Sequence, residues 1–179
     1  AFREMAIETK THWWETLNNK NQMGASLIMA NNIQVTIYTF ALGATFGIGT
    51  LYLLAMNGAN IASVLALTYR AGFGNDLLTF MVGHGVIELS CIFIAGGAGL
   101  LIGSAMVMPG DMTRADALKT RGMEAVRLMM GVAVLLVVAG TIEGFISPAP
   151  IDPRIKFSIA ALTGVAMYSY LLLAGRDSS

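Results

Sequence analysis

Apolar residues gather in four long runs along this chain, with polar residues and helix breakers between them. The runs fall at about Ile33–Met56, Leu77–Met108, Ala125–Ile146 and Ile155–Ala174. Crossing a hydrocarbon core of roughly 30 Å takes about 20 apolar residues in a helix. A fifth stretch, Ile61–Tyr69, is too short for that. It reads as a half-helix that enters and returns, or as an interfacial piece; an irregular piece survives at membrane depth only when buried against protein. Leu77–Met108 has the opposite problem: at about 1.5 Å per residue, one straight helix would be roughly 48 Å long. Gly83 and Gly85 flank His84 within it. Either the helix is strongly tilted or it breaks there, and a break is the favoured expectation, with a short leading helix at Leu77–Val82 and a span at about Val86–Val107. The pattern predicts an all-α, polytopic transmembrane helical bundle of about four spans plus one short re-entrant or broken helix.

The stretches between the runs carry the punctuation. Asn31 and Asn32 precede the first span, where an Asn side chain can cap a helix by accepting from an orphan amide; a role in a site is the alternative. Gly43, Gly47 and Gly49 lie within that span and would let another helix approach closely. Asn57-Gly58 is a turn signal. Pro109-Gly110 ends the second run, and 111–127 reads as a loop with a short amphipathic helix. Pro148, Pro150 and Pro153 share one connection, where helix breakers belong. The expected division is an amphipathic or interfacial segment at 1–30, a transmembrane helical domain at 31–175 and a tail at 176–179. The adjacent Trp13 and Trp14 suit the headgroup level, and Tyr168 and Tyr170 suit the far interface. The chain opens Ala-Phe-Arg without an initiator Met, as expected of a piece of a longer protein.

Composition agrees with a bilayer as the main surroundings. Only 12% of residues are charged, against about 25% in a soluble domain, and mean hydropathy is +0.66. Net charge is zero, so there is no electrostatic footprint for nucleic acid. Cys91 is the only cysteine, which excludes an intrachain disulfide and a Cys-based metal cluster. If 61–73 returns to its own side, Arg3, Lys10, Lys20, Arg114, Lys119, Arg121, Arg127 and Arg176 share one side, against Arg70, Arg154 and Lys156 on the other. That bias puts both termini in the cytoplasm by the positive-inside rule. If 61–73 spans instead, the bias largely disappears.

Candidate chemistry centres on His84, Glu88 and Glu143, ionisable groups inside apolar runs. Such groups are costly in hydrocarbon and mark functional or partner-binding positions. Four residues apart, His84 and Glu88 share a helix face, and the same row continues through Cys91, Ala95, Gly99 and Gly103. The small residues Ala95, Gly99 and Gly103 invite close helix packing. Val82, Val86, Leu89, Phe93 and Leu100 form the opposite face. Glu143 follows Leu136, Ala139 and Gly140 on its own helix, and His84 is its expected companion. A satisfied polar cluster that fixes helix register is one reading. A proton or ion relay is another. A metal site is a third, with His84, Glu88 and Glu143 as ligand candidates, although the spacing is not that of a His-Glu-x-x-His site. A membrane hydrolase lacks a nucleophile–base pair here, and an apolar setting does not activate a thiol such as Cys91. No catalytic residue is nominated, and no phosphate cradle or dinucleotide fingerprint calls for a cofactor.

Several short motifs occur in a set order: Asn31-Asn32-Ile33, Asn57-Gly58, His84-Gly85-Val86-Ile87-Glu88, Ala95-Gly96-Gly97-Ala98-Gly99-Leu100 and Ile142-Glu143-Gly144-Phe145-Ile146-Ser147-Pro148. This series resembles the stage II sporulation protein M family over roughly Asn31 to Pro153. Its motif positions correspond to Asn31, Asn32, Gly58, His84, Gly85, Glu88, Gly97, Gly99, Glu143 and Pro148. The resemblance implies a polytopic, all-helical membrane protein. In spore formers, the family's namesake is a scaffold in a membrane complex with peptidoglycan-degrading partners. Many relatives occur outside sporulation, often encoded near AAA+ ATPases of the MoxR type. The expectation is an assembly subunit in a prokaryotic plasma membrane, forming a homodimer or joining other membrane proteins. A transporter or channel component and a metal-dependent membrane enzyme are the alternatives.

Overall fold

A computed structural model describes residues 21–72, 74–146 and 151–173. They form five α-helices: α1 (Asn21–Ala41), α2 (Ile48–Arg70), α3 (Gly74–Val107), α4 (Arg114–Phe145) and α5 (Pro153–Leu173). A single 3-10 turn, Leu42–Ala44, follows α1. There is no strand among the described residues. Four helices are long and apolar enough to cross a membrane, at Ile48–Arg70, Gly85–Val107, Arg114–Ile142 and Pro153–Leu173. The expected helical bundle of four spans is therefore present. The chain is a membrane protein.

The breaks lie elsewhere than the glycines and Asn-Gly suggested. Asn57 and Gly58 sit inside α2, and Ile61–Tyr69 is its second half rather than a re-entrant piece. Gly83 and Gly85 sit inside α3, which runs unbroken for 34 residues. In apolar surroundings a turn leaves backbone groups unpaired, whereas a helix pairs them internally. That cost outweighs the turn preference of Asn-Gly and the flexibility of Gly. The real break is at 42–47, inside the run read as one span from Ile33 to Met56. Its backbone amides are served locally, with Thr45 N donating to Leu42 O at 3.0 Å and Gly47 N to Gly43 O at 3.0 Å. Thr45 Oγ1 also accepts from Gly49 N at 2.9 Å. Phe46 and Gly47 have φ of +58° and +83°, the left-handed region that glycine enters readily and Phe enters at a cost.

Other boundaries shift for similar reasons. Asn31 and Asn32 lie inside α1, so neither caps a helix start. α1 also runs through the expected boundary at residue 30. The amphipathic stretch after Pro109-Gly110 is continuous with the third span as α4. Thr113 caps it, accepting from Asp116 N at 3.2 Å. Continuity of α2 also removes the assumption behind the charge count, so Lys and Arg no longer favour one orientation. Trp13, Trp14 and Pro148 lie outside the described residues.

α3 is the axis of the bundle. Half of its Gly85–Val107 span is buried, against 6% for α2, 28% for α4 and 17% for α5. α1 runs parallel to α3, with Asn32 beside Glu88 and Gly43 beside Gly99. α2 returns antiparallel, bringing Thr50 to Gly99 and Leu54 to Gly96. α4 is also antiparallel, with Arg121 at Ser104 and Cys91 at Val132. α5 is parallel, with Gly164 against Val86 and Tyr168 against Ser90. The helices thus alternate up and down, and α1 lies alongside the membrane-spanning part of α3. A core of Ile87, Cys91, Val132, Leu136, Ala139, Ile142 and Met167 joins α3, α4 and α5.

Candidate functional site: an amide-lined cleft at Glu88

The small row of α3 packs inside the chain. Cys91 and Ala95 are fully buried, and Gly99 and Gly103 meet the α1–α2 hairpin. A Cβ at Gly99 would lie 2.7 Å from Thr50 Oγ1 and 2.8 Å from Thr39 O. At Gly103 it would lie 2.6 Å from Gly47 N. At Gly43 it would collide with the Gly99 carbonyl. Only glycine permits backbones to come this close. Thr50 Oγ1 then donates to Thr39 O at 2.8 Å, tying the two arms of the hairpin together.

This clamp holds α1 in register with α3 and delivers Asn32 to Glu88. Asn32 Nδ2 donates to Glu88 Oε2 at 2.6 Å, across 56 residues of sequence. Glu88 is 4% exposed, so the amide meets a carboxylate withdrawn from the surroundings. A hydrogen bond to a buried carboxylate is among the stronger ones a protein makes. Asn32 also accepts, through its backbone oxygen, from Thr36 Oγ1 at 2.7 Å.

Glu88 and Asn32 form one wall of a cleft between α1, α2 and α3, about 370 Å³ in volume. Asn31 adds a second amide from α1, and Asn57 and Asn60 add two from α2. The remaining lining is apolar, apart from Gly85 on α3. A Cβ placed on Gly85 finds nothing within 4 Å, so side-chain volume added there enters open space. Four amides and one carboxyl group around an apolar cavity offer donors and acceptors together. A cleft of that kind fits a polar or cationic group presented within the membrane.

The sequence-nominated residues divide by place. Asn31, Asn32, Gly85 and Glu88 all line this cleft. Gly99 is at the helix crossing, while Gly58 and Gly97 face open space. His84 and Glu143 lie within α3 and α4, but their side chains are outside the described residues. Among the described residues, no three His, Cys, Asp or Glu gather as a metal site. Asn57 and Asn60 were not nominated from sequence, because Asn-Gly read as a turn. Their spacing of three on a continuous helix is the signal that would have found them.

The Tyr168 hydroxyl lies 2.8 Å from Ser90 Oγ. No curated protein and no solved structure matches the chain. The family model of stage II sporulation protein M matches residues 3–148, a stretch that contains the hairpin, the α3 axis and the whole cleft, and the chain belongs to that family.

Proposed function

We propose that the protein is an assembly subunit of a prokaryotic plasma-membrane complex, which receives a polar or cationic group of a partner membrane protein in the Glu88 cleft. One observation carries this reading: a carboxylate and four amides line an open cavity beside the membrane-spanning part of α3. Polar groups at that depth are costly unless protein or ligand meets them. A cell-envelope setting is what the family resemblance implies, and it supports the choice of a protein partner.

The test is co-purification from native membranes with a filled cleft. Gly85→Leu grows into the cavity, and Gly58→Leu grows outward from α2 as its control. Proteins held through the cleft should be lost from Gly85→Leu and retained by wild type and Gly58→Leu. An identical set from all three would overturn the reading. The cavity's volume and its carboxylate also favour a second reading, passage of a small cation through a transport component. In proteoliposomes that reading requires a cation flux that Glu88→Gln abolishes; no flux in wild type would eliminate it.

A further inference from the structure

The outward face of α1 has a pattern that its inward packing does not use. Ala30, Gln34, Ile37, Tyr38 and Ala41 are all exposed. Ala30, Gln34, Ile37 and Ala41 are spaced by four, three and four, the spacing of one helix seam packing on another. Small residues stand at both ends of this seam, as at close helix contacts in membranes. Tyr38 flanks it. Ile37 and Tyr38 are 49% and 52% exposed.

The depth of this stripe is set by register. Asn32 lies beside Glu88 and Gly43 beside Gly99, so 30–41 runs alongside the Gly85–Val107 span. α1 itself is not among the four helices apolar enough to cross a membrane. A face carrying Gln and Tyr at that depth is costly against lipid and satisfied against protein. Gln34 Nε2 donates to Tyr38 Oη at 3.1 Å, which holds both side chains along the stripe.

We infer that α1 is the seam of a homodimer, packed against α1 of a second copy. Two copies inserted in one membrane with one orientation bring identical helices together in parallel. Around a two-fold axis, each residue near the axis then faces its own copy. That arrangement excludes like charges and suits groups that both donate and accept. The stripe contains no charged residue, and its polar members are an amide and a hydroxyl, each both donor and acceptor. One polar position within an apolar seam is also a device that fixes register and partner number. This inference stands apart from the cleft reading, because Gly85→Leu leaves the stripe unaltered.

The experiment is cysteine cross-linking in native membranes, in a Cys91→Ala background. Single cysteines replace Gln34, Ile37 and Ala41, with Val35→Cys on the cleft side of α1 and Leu162→Cys on the exposed face of α5 as controls. Oxidation should give dimers at 34, 37 and 41 at several times the yield of either control. No dimer at those three positions, equal yield at Leu162→Cys, or cross-links to a different protein would each overturn the inference. The mass of detergent-solubilised protein provides an arm free of engineered cysteines. Wild type should have the mass of two chains and Ala41→Trp that of one. A wild type of one chain, or an Ala41→Trp that stays at two, would contradict the seam.

Discussion

Glu88 keeps its place because Asn32 meets it, and that pairing carries the first consequence at the scale of single residues. Removing one partner from a buried hydrogen-bonded pair costs about 1–3 kcal/mol. Asn32→Ala should therefore lower the thermal unfolding temperature in detergent, while Asn31→Ala, at an exposed position of the same helix, should leave it nearly unchanged. Equal shifts in the two variants would contradict the assigned pairing. Glu88 was legible in the sequence as a residue needing a partner, because acids inside apolar runs are few. The identity of its partner was not. Asn32 lies 56 positions away, and at short range an Asn before an apolar run reads equally well as a cap. Only the register of α1 on α3 decides between the two. Asn57 and Asn60 were hidden by the same local ambiguity, since the preference of Asn-Gly for turns is a solution-phase bias that an apolar setting overrules.

Among helices, backbone approach at glycine is the organising contact. The row Glu88, Cys91, Ala95, Gly99, Gly103 was visible from spacing alone, as was the need for a close neighbour. For Gly99 and Gly103 the neighbour is the chain's own α1–α2 hairpin. Gly99→Leu should consequently disturb folding of the single chain: overpacking costs typically about 1–3 kcal/mol, and here the obstruction includes the Thr39 carbonyl. Gly97→Leu, two residues away and facing open space, should be tolerated. Folded yield and thermal midpoint compare them directly, and a Gly99→Leu as stable as Gly97→Leu would remove the clamp from this account. The hairpin itself was not legible. Gly43, Gly47 and Gly49 read as a packing surface within one span, and nothing local distinguishes glycines that pack from glycines that let the chain reverse.

For the molecule as a whole, α3 is the shared wall and the other helices pack mainly on it. The number of apolar spans was readable from hydropathy, because length and apolar content set it directly. The fifth helix was not, because the apolar half of α1 from Ile33 onward runs into the next apolar stretch and reads as one span with it. α5 attaches chiefly through α3, by the Ser90–Tyr168 bond and the Val86–Gly164 contact, and the family match stops before it. A chain ending at residue 150 should still assemble α1–α4, with a lower melting temperature; loss of all folded protein would show that α5 is integral to the core. The 56-residue separation of Asn32 and Glu88 also has a consequence for biogenesis. α1 leaves the ribosome well before α3 exists, so Asn32 has no Glu88 to meet until α3 arrives. The settled place of α1 in the bilayer is therefore expected only once that later helix has been made.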